Sequence, residues 1–201
     1  MQMSSGGPAS AASSSAVTAR AAGPVVLGMT LDEARRALAP SYRLRDPENK
    51  GLAVAEIVHD EAEIGSPALW VGNSQYLAVD GGGREVLRLL TSDASMRFDD
   101  PDARVVMVTA IGRGFVTAEG VGPGMTLAAA AGIYGAPELQ DDDPEGFRRE
   151  WAVFPGAPQG VRFAVAAPDG RLAGVYESGG TATRVYRPGS TIQSVVIGAR
   201  R

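Results

Sequence analysis

Cysteine is absent from this chain of 201 residues, and histidine occurs once, at His59. Without a thiol there is no disulfide, no thiolate nucleophile, no Cys-ligated zinc and no iron–sulfur cluster. A lone imidazole does not build a His-based metal site, and no serine stands in a G-x-S-x-G turn. Aromatic residues are only 6% of the sequence, against 26 glycines, a balance that favours short strands joined by tight turns over helical bundles. No apolar run approaches the ~20 residues that span a bilayer, and the N-terminus lacks the charged and apolar regions of a signal peptide. The net charge is −4 with both signs interspersed. Arginine pairs at Arg35-Arg36, Arg148-Arg149 and Arg200-Arg201 are isolated, so a phosphate-tracking nucleic-acid surface is not expected.

What is there begins with a tail. Residues 1–22 are almost all Ser, Ala and Gly, with little to bury, and read as a flexible segment. Such a tether suits an envelope protein or a cytoplasmic tail equally, and no lipobox cysteine decides between them. Beyond it lies an internal repeat. Gly28-Met29-Thr30-Leu31 recurs 96 positions later as Gly124-Met125-Thr126-Leu127. Further matches follow in order: Asp46-Pro47-Glu48 with Asp143-Pro144-Glu145, Leu77-Ala78-Val79 with Phe163-Ala164-Val165, and Gly83-Arg84 with Gly170-Arg171. The expected organisation is therefore a tail over 1–22 and two repeats, 23–112 and 113–201.

Each repeat reads as a short helix followed by strands. Thr30 and Thr126 are suited to N-caps, and Glu33 completes a capping box in the first copy where the second has Ala129. Leu31, Ala34 and Leu38 share one helical face, as do Leu127, Ala130 and Tyr134. Strands are expected over 52–59, 68–72, 75–80, 85–91 and 104–111, then over 151–154, 161–167, 171–177, 183–186 and 191–197. Gly-Asn, Asp-Gly and Pro-Gly turns separate them. The fold class that follows is α+β: two tandem units, each a short helix packed on an antiparallel meander sheet.

No motif with catalytic chemistry stands up. Gly23 to Thr30 has Walker A spacing, but Met29 replaces the lysine that would reach the phosphates. Gly120-Val121-Gly122-Pro123-Gly124 resembles a dinucleotide loop, yet its third glycine falls one position early and Pro123 removes an N–H. Asp60, Glu61 and Glu63 beside His59 read as a solvated strand end. Asp99-Asp100-Pro101-Asp102 and Asp141-Asp142-Asp143 read as charged loops, because neither follows calcium-loop spacing. No cofactor is expected. The more suggestive group is aromatic: Trp70, Tyr76, Trp151, Phe154, Tyr176 and Tyr186 fall on or beside expected strands. Alternation would put some of them on the sheet face away from the helix, where Trp and Tyr make a partner-binding surface. The alternative site is a cleft between the two repeats that takes a small ligand or substrate.

The repeated G-M-T-L helix followed by a meander resembles two related groups, the β-lactamase-inhibitor-protein-like fold and the small-protein-A/OmlA lipoproteins. The resemblance implies an exported, non-catalytic protein of the cell envelope or secreted space whose sheet face contacts a protein partner. A cytoplasmic location stays open. The inhibitory proteins carry disulfides and this chain has none.

Overall fold

The computed structural model describes residues 15–45, 73–92, 100–142 and 149–198. A small hairpin, β1 (Ala21–Ala22) and β2 (Val25–Val26), leads into helix α1 (Leu31–Leu38). Thr30 caps α1 as its residue types require: its hydroxyl accepts from the Glu33 N–H at 3.2 Å, and the Glu33 carboxylate accepts from the Thr30 N–H at 2.8 Å. Helix α2 (Leu127–Tyr134) has half of that device, the Ala129 N–H donating to the Thr126 hydroxyl at 3.2 Å. Both helices bury the expected faces, Leu31, Ala34 and Leu38 in one, Leu127, Ala130 and Tyr134 in the other.

The strands are β3 (Arg43–Arg45), β4 (Asn73–Val79), β5 (Glu85–Ser92), β6 (Arg104–Ala110), β7 (Glu138–Asp142), β8 (Arg149–Val153), β9 (Val161–Ala166), β10 (Ala182–Thr183) and β11 (Thr191–Ile197). They form one nine-stranded antiparallel sheet in the order β10-β7-β8-β9-β11-β6-β5-β4-β3. This corrects the α+β expectation of two helix-on-meander units. The protein is mostly β, with only two eight-residue helices among the described residues, and the halves do not keep separate sheets. The reason lies at the centre. β6 and β11 each end a meander, and left apart each would expose a row of unpaired N–H and C=O groups. They pair with each other instead, Val195 opposite Ala110 and Ile197 opposite Val108.

The G-M-T-L segments do the same work twice. In the first, the Gly28 N–H donates to the Val105 carbonyl (2.7 Å), the Val105 N–H to Met29 (2.8 Å) and the Leu31 N–H to Ala103 (2.9 Å). In the second, Gly124 donates to Ile192 (2.8 Å), Ile192 to Met125 (2.9 Å) and Leu127 to Ser190 (2.9 Å). Gly28 and Gly124 hold φ of 89° and 87°, a left-handed conformation that explains the repeated glycine. Each segment thus ties a helix start to the last strand of its half. The later matches are different in kind. Leu77-Ala78-Val79 lies in the second long-sheet strand of its half and Phe163-Ala164-Val165 in the third, so that likeness reflects shared turn chemistry at 80–84 and 167–171. The match of residues 46–48 with 143–145 lies outside the described residues.

Other differences have local causes. Part of the expected tail is built in: Val17 and Ala22 are buried, and Ala16 bridges Val116. Residues 171–177 make only an isolated antiparallel bridge, Gly174 with Tyr186, and extend it no further, because the N–H groups of Ala173 and Gly174 are taken by the side chain of Glu150. β3 and β7 went unexpected because each offers a single leucine among polar residues. Pairing with β4 and β8 nevertheless puts Leu139 in the core and packs Leu44 against it. The expected strands 52–59 and 68–72 lie outside the described residues.

The main core lies between the helices and one sheet face. It holds Leu87, Leu89, Val108, Phe163, Ile192 and Ile197 together with the buried helix faces. Leu90, Met107, Trp151 and Val196 form a second, smaller cluster from the alternate positions of the central strands. The cap difference makes a prediction. Thr30→Ala and Thr126→Ala should each destabilise by about 0.5–2 kcal/mol, with Thr30→Ala the larger because it also dismantles the capping box. Urea midpoints of the two variants check the order, and equal negligible shifts would contradict it.

Candidate functional site

The six aromatic residues do not form one outward face. Tyr76, Trp151 and Phe154 are buried, Tyr176 and Tyr186 are half-buried, and Trp70 lies outside the described residues. Phe154 packs edge-on to Phe163 at 5.4 Å, with Tyr134 tilted about 6 Å from both, in the core under α2. Trp151 is only 3% exposed. Arg162 stacks over its ring at 3.8 Å, and its indole N–H has no protein acceptor. Tyr176 and Tyr186 therefore keep some of the surface that a contact needs, and both lie in one segment, on the two legs joined by the Gly174–Tyr186 bridge.

They sit in the excursion between β9 and β11. After the turn at 167–171 the chain runs irregularly through 172–181, adds β10 to the edge of β7, and returns through Tyr186 and Arg187. The irregular stretch is held by one acid. Glu150, on β8, is 2% exposed. Its Oε2 accepts a short hydrogen bond from the Ala173 N–H, and its Oε1 accepts from the Gly174 N–H and the Tyr176 hydroxyl, both at 2.6 Å. Three donors satisfy a buried carboxylate that would otherwise be costly. Burial, and next the Glu150 carboxylate it donates to, push the Tyr176 phenol well above the ordinary tyrosine range. Gly174 is required there: a Cβ would lie 2.6 Å from the Tyr176 ring and 2.7 Å from Glu150.

The two legs of the excursion are clipped together. The Val175 N–H donates to the Val185 carbonyl (2.8 Å) and the Arg187 N–H to Ala173 (2.7 Å). Val175 and Val185 are nonetheless 44% and 62% exposed, so a rigid segment carries apolar side chains into solvent. Beside it is a cleft of about 490 Å³ lined by residues including Glu150, Val165, Arg171, Leu172, Tyr176 and Arg187. All of its lining comes from the second half of the chain, whereas the sequence suggested a cleft between the repeats. The excursion was missed as a unit because its glycines and tyrosines read as two further strands. The signal available was Glu150 standing directly before the apolar run Trp151-Ala152-Val153 of β8.

Of the two acidic runs, Asp99 and Asp143 lie outside the described residues. Asp141 and Asp142 belong to β7 rather than to a loop, and Asp142 lies 3.8 Å from Arg162. Asp100 accepts from the Asp102 N–H in a turn. His59 and its acidic neighbours lie outside the described residues. Among the described residues no group of three or more His, Asp or Glu could hold a metal ion, and no helix is long and apolar enough to cross a membrane.

A second polar node joins α2 to the preceding loop. The Tyr134 hydroxyl lies 2.6 Å from the Thr117 hydroxyl and donates to Glu119 at 2.5 Å. The hydrogen bond from Tyr134 holds the Glu119 carboxyl below its usual range. Burial, then the Glu119 carboxylate, push the Tyr134 phenol up to about 12. A folded-state value raised above the unfolded one gives stability that is complete below the unfolded pKa of about 10 and is lost as pH climbs through the folded value. Stability should therefore fall between about pH 10 and 12, and Tyr134→Phe should remove part of that slope. Urea midpoints across this range check it; identical slopes for both proteins would count against the raised phenol.

Comparison with protein-family models, with curated proteins and with solved structures finds no match for this chain, so nothing in them identifies a β-lactamase-inhibitor-protein-like or small-protein-A/OmlA fold.

Proposed function

We propose that the chain is a non-catalytic protein-binding module of the cell envelope or secreted space, and that it meets its partner with the excursion over 172–187. The carrying observation is the exposure of Val175 and Val185 on a segment locked to the sheet by buried Glu150. A flexible loop would lose conformational entropy on binding; an anchored one has already lost it on folding. Tyr176 and Tyr186, each next to one of the valines in the chain, are half-buried and of a residue type enriched at binding hot spots. Glu150, the buried acid at this place, has its oxygens engaged by three donors, which suits an anchor better than a proton-transfer group. The envelope setting and inhibitor-like or assembly-factor-like role rest on the family resemblance, supported by the G-M-T-L repeat.

The test compares capture from an envelope extract by the wild-type chain and by the Val175→Asp/Val185→Asp double variant. Exposed positions like these should move the urea midpoint little. Loss of an apolar anchor worth about 2 kcal/mol weakens binding by about thirtyfold. A partner held equally by both proteins would overturn the assignment of this surface.

A further inference from the structure

We propose that the cleft beside the excursion receives an acidic side chain, Asp or Glu, from an extended segment of the protein partner, and that Arg187 holds its carboxylate. This rests on the reading of the excursion as the partner-binding surface. Arg187 is fixed at both ends: its backbone N–H donates to Ala173 at 2.7 Å and its Nε–H to the Leu172 carbonyl at 3.1 Å. The guanidinium is thereby positioned in the cleft wall with its terminal N–H groups unengaged, and no carboxylate among the described residues forms an ion pair with it. The nearby arginines differ. Arg171 is paired with Asp169 at 2.5 Å, and Arg184 lies 3.8 Å from Glu138.

The negative group of the cleft does not compete for Arg187. Glu150 lies at the buried base with its oxygens already accepting from Ala173, Gly174 and Tyr176. What remains available is a planar donor fork on a half-buried wall, which matches a carboxylate in bidentate geometry. Val165 and Leu172 line the same cleft and would contact the methylenes of the incoming side chain. The exposed Val175 and Val185 would meet its apolar neighbours.

The experiment selects a random displayed-peptide library on the immobilised full chain. Enriched peptides should share an Asp or Glu next to apolar residues. Changing that acid to its amide should weaken a synthetic peptide by about thirtyfold, and Arg187→Gln should produce the same loss. Combining the two changes should add little further, since both remove one contact. Arg187→Lys should bind poorly despite its charge. If Arg187→Gln disturbs folding, the acid-to-amide peptide against the wild-type chain still reads the contact. Peptides that depend on Val175 and Val185 but need neither an acid nor Arg187 would overturn the role of the cleft and leave the excursion as the binding surface. No enrichment, or peptides indifferent to both sets of variants, would overturn both.

Discussion

Truncating Trp151 to alanine should cost about 3–5 kcal/mol of folding stability, the loss expected for deleting a buried aromatic. The sequence invited the opposite expectation, an outward tryptophan whose loss would weaken a partner contact and leave the fold unharmed. The structure places the ring at 3% exposure among Leu90, Met107 and Val196, with Arg162 across its face. Removing it opens a cavity and strips Arg162 of its cation–π partner, an interaction worth about 0.5–2 kcal/mol. Trp151→Phe separates these terms. It keeps most of the packing and deletes an indole N–H that has no acceptor, so it should cost only about 1–2 kcal/mol. Urea unfolding with unchanged slope is the measurement. A Trp151→Ala midpoint within about 1 kcal/mol of wild type would mean that this side of the sheet is open after all.

Glu150→Ala is the second large effect, at about 2–5 kcal/mol from the donors it leaves unpaired. The change strands the N–H groups of Ala173 and Gly174 and the Tyr176 hydroxyl, each a donor that costs about 1–3 kcal/mol when left buried and unpaired. The three costs do not add in full, because the segment can move and admit water. Glu150→Gln retains one acceptor and should fall between. It should also let Tyr176 ionise at lower pH, since a carboxylate that disfavours the phenolate is gone. The local consequence distinguishes an anchor from a general stabiliser. Hydrogen exchange should accelerate at Gly174 and Val175 before it does at β9, and uniform acceleration across the sheet would argue against the anchoring role.

The two tyrosines of the excursion bear on function through the same residue. Nothing in the spacing of Tyr176 and Tyr186 says that a carboxylate 26 residues upstream will bond to one of them. Alternation alone made them strand residues, and a ladder would have used the N–H groups that Glu150 takes. Likewise the acidic run at 141–143 reads as a loop by composition, yet Asp141 and Asp142 pair with Glu150 and Arg149 across β7 and β8. In both places a distant partner outbid the local preference, which is how tertiary context overrides propensity.

By itself the sequence determined what acts within a few residues. Thr30 and Thr126 start helices because a hydroxyl reaches the N–H three positions on. Gly28 and Gly124 recur because a left-handed backbone tolerates little else. The strands at 85–92, 104–110, 161–166 and 191–197 follow from dense β-branched and apolar residues between turn signals. The missing cysteine closed off whole classes of chemistry before any folding was considered. Only the tertiary structure decided that the halves share one sheet, since the pairing of β6 with β11 joins residues more than eighty positions apart. It alone buried Trp151 and left Val185 in solvent, because exposure depends on what the rest of the chain lays against a side chain and not on the side chain's own neighbours in sequence.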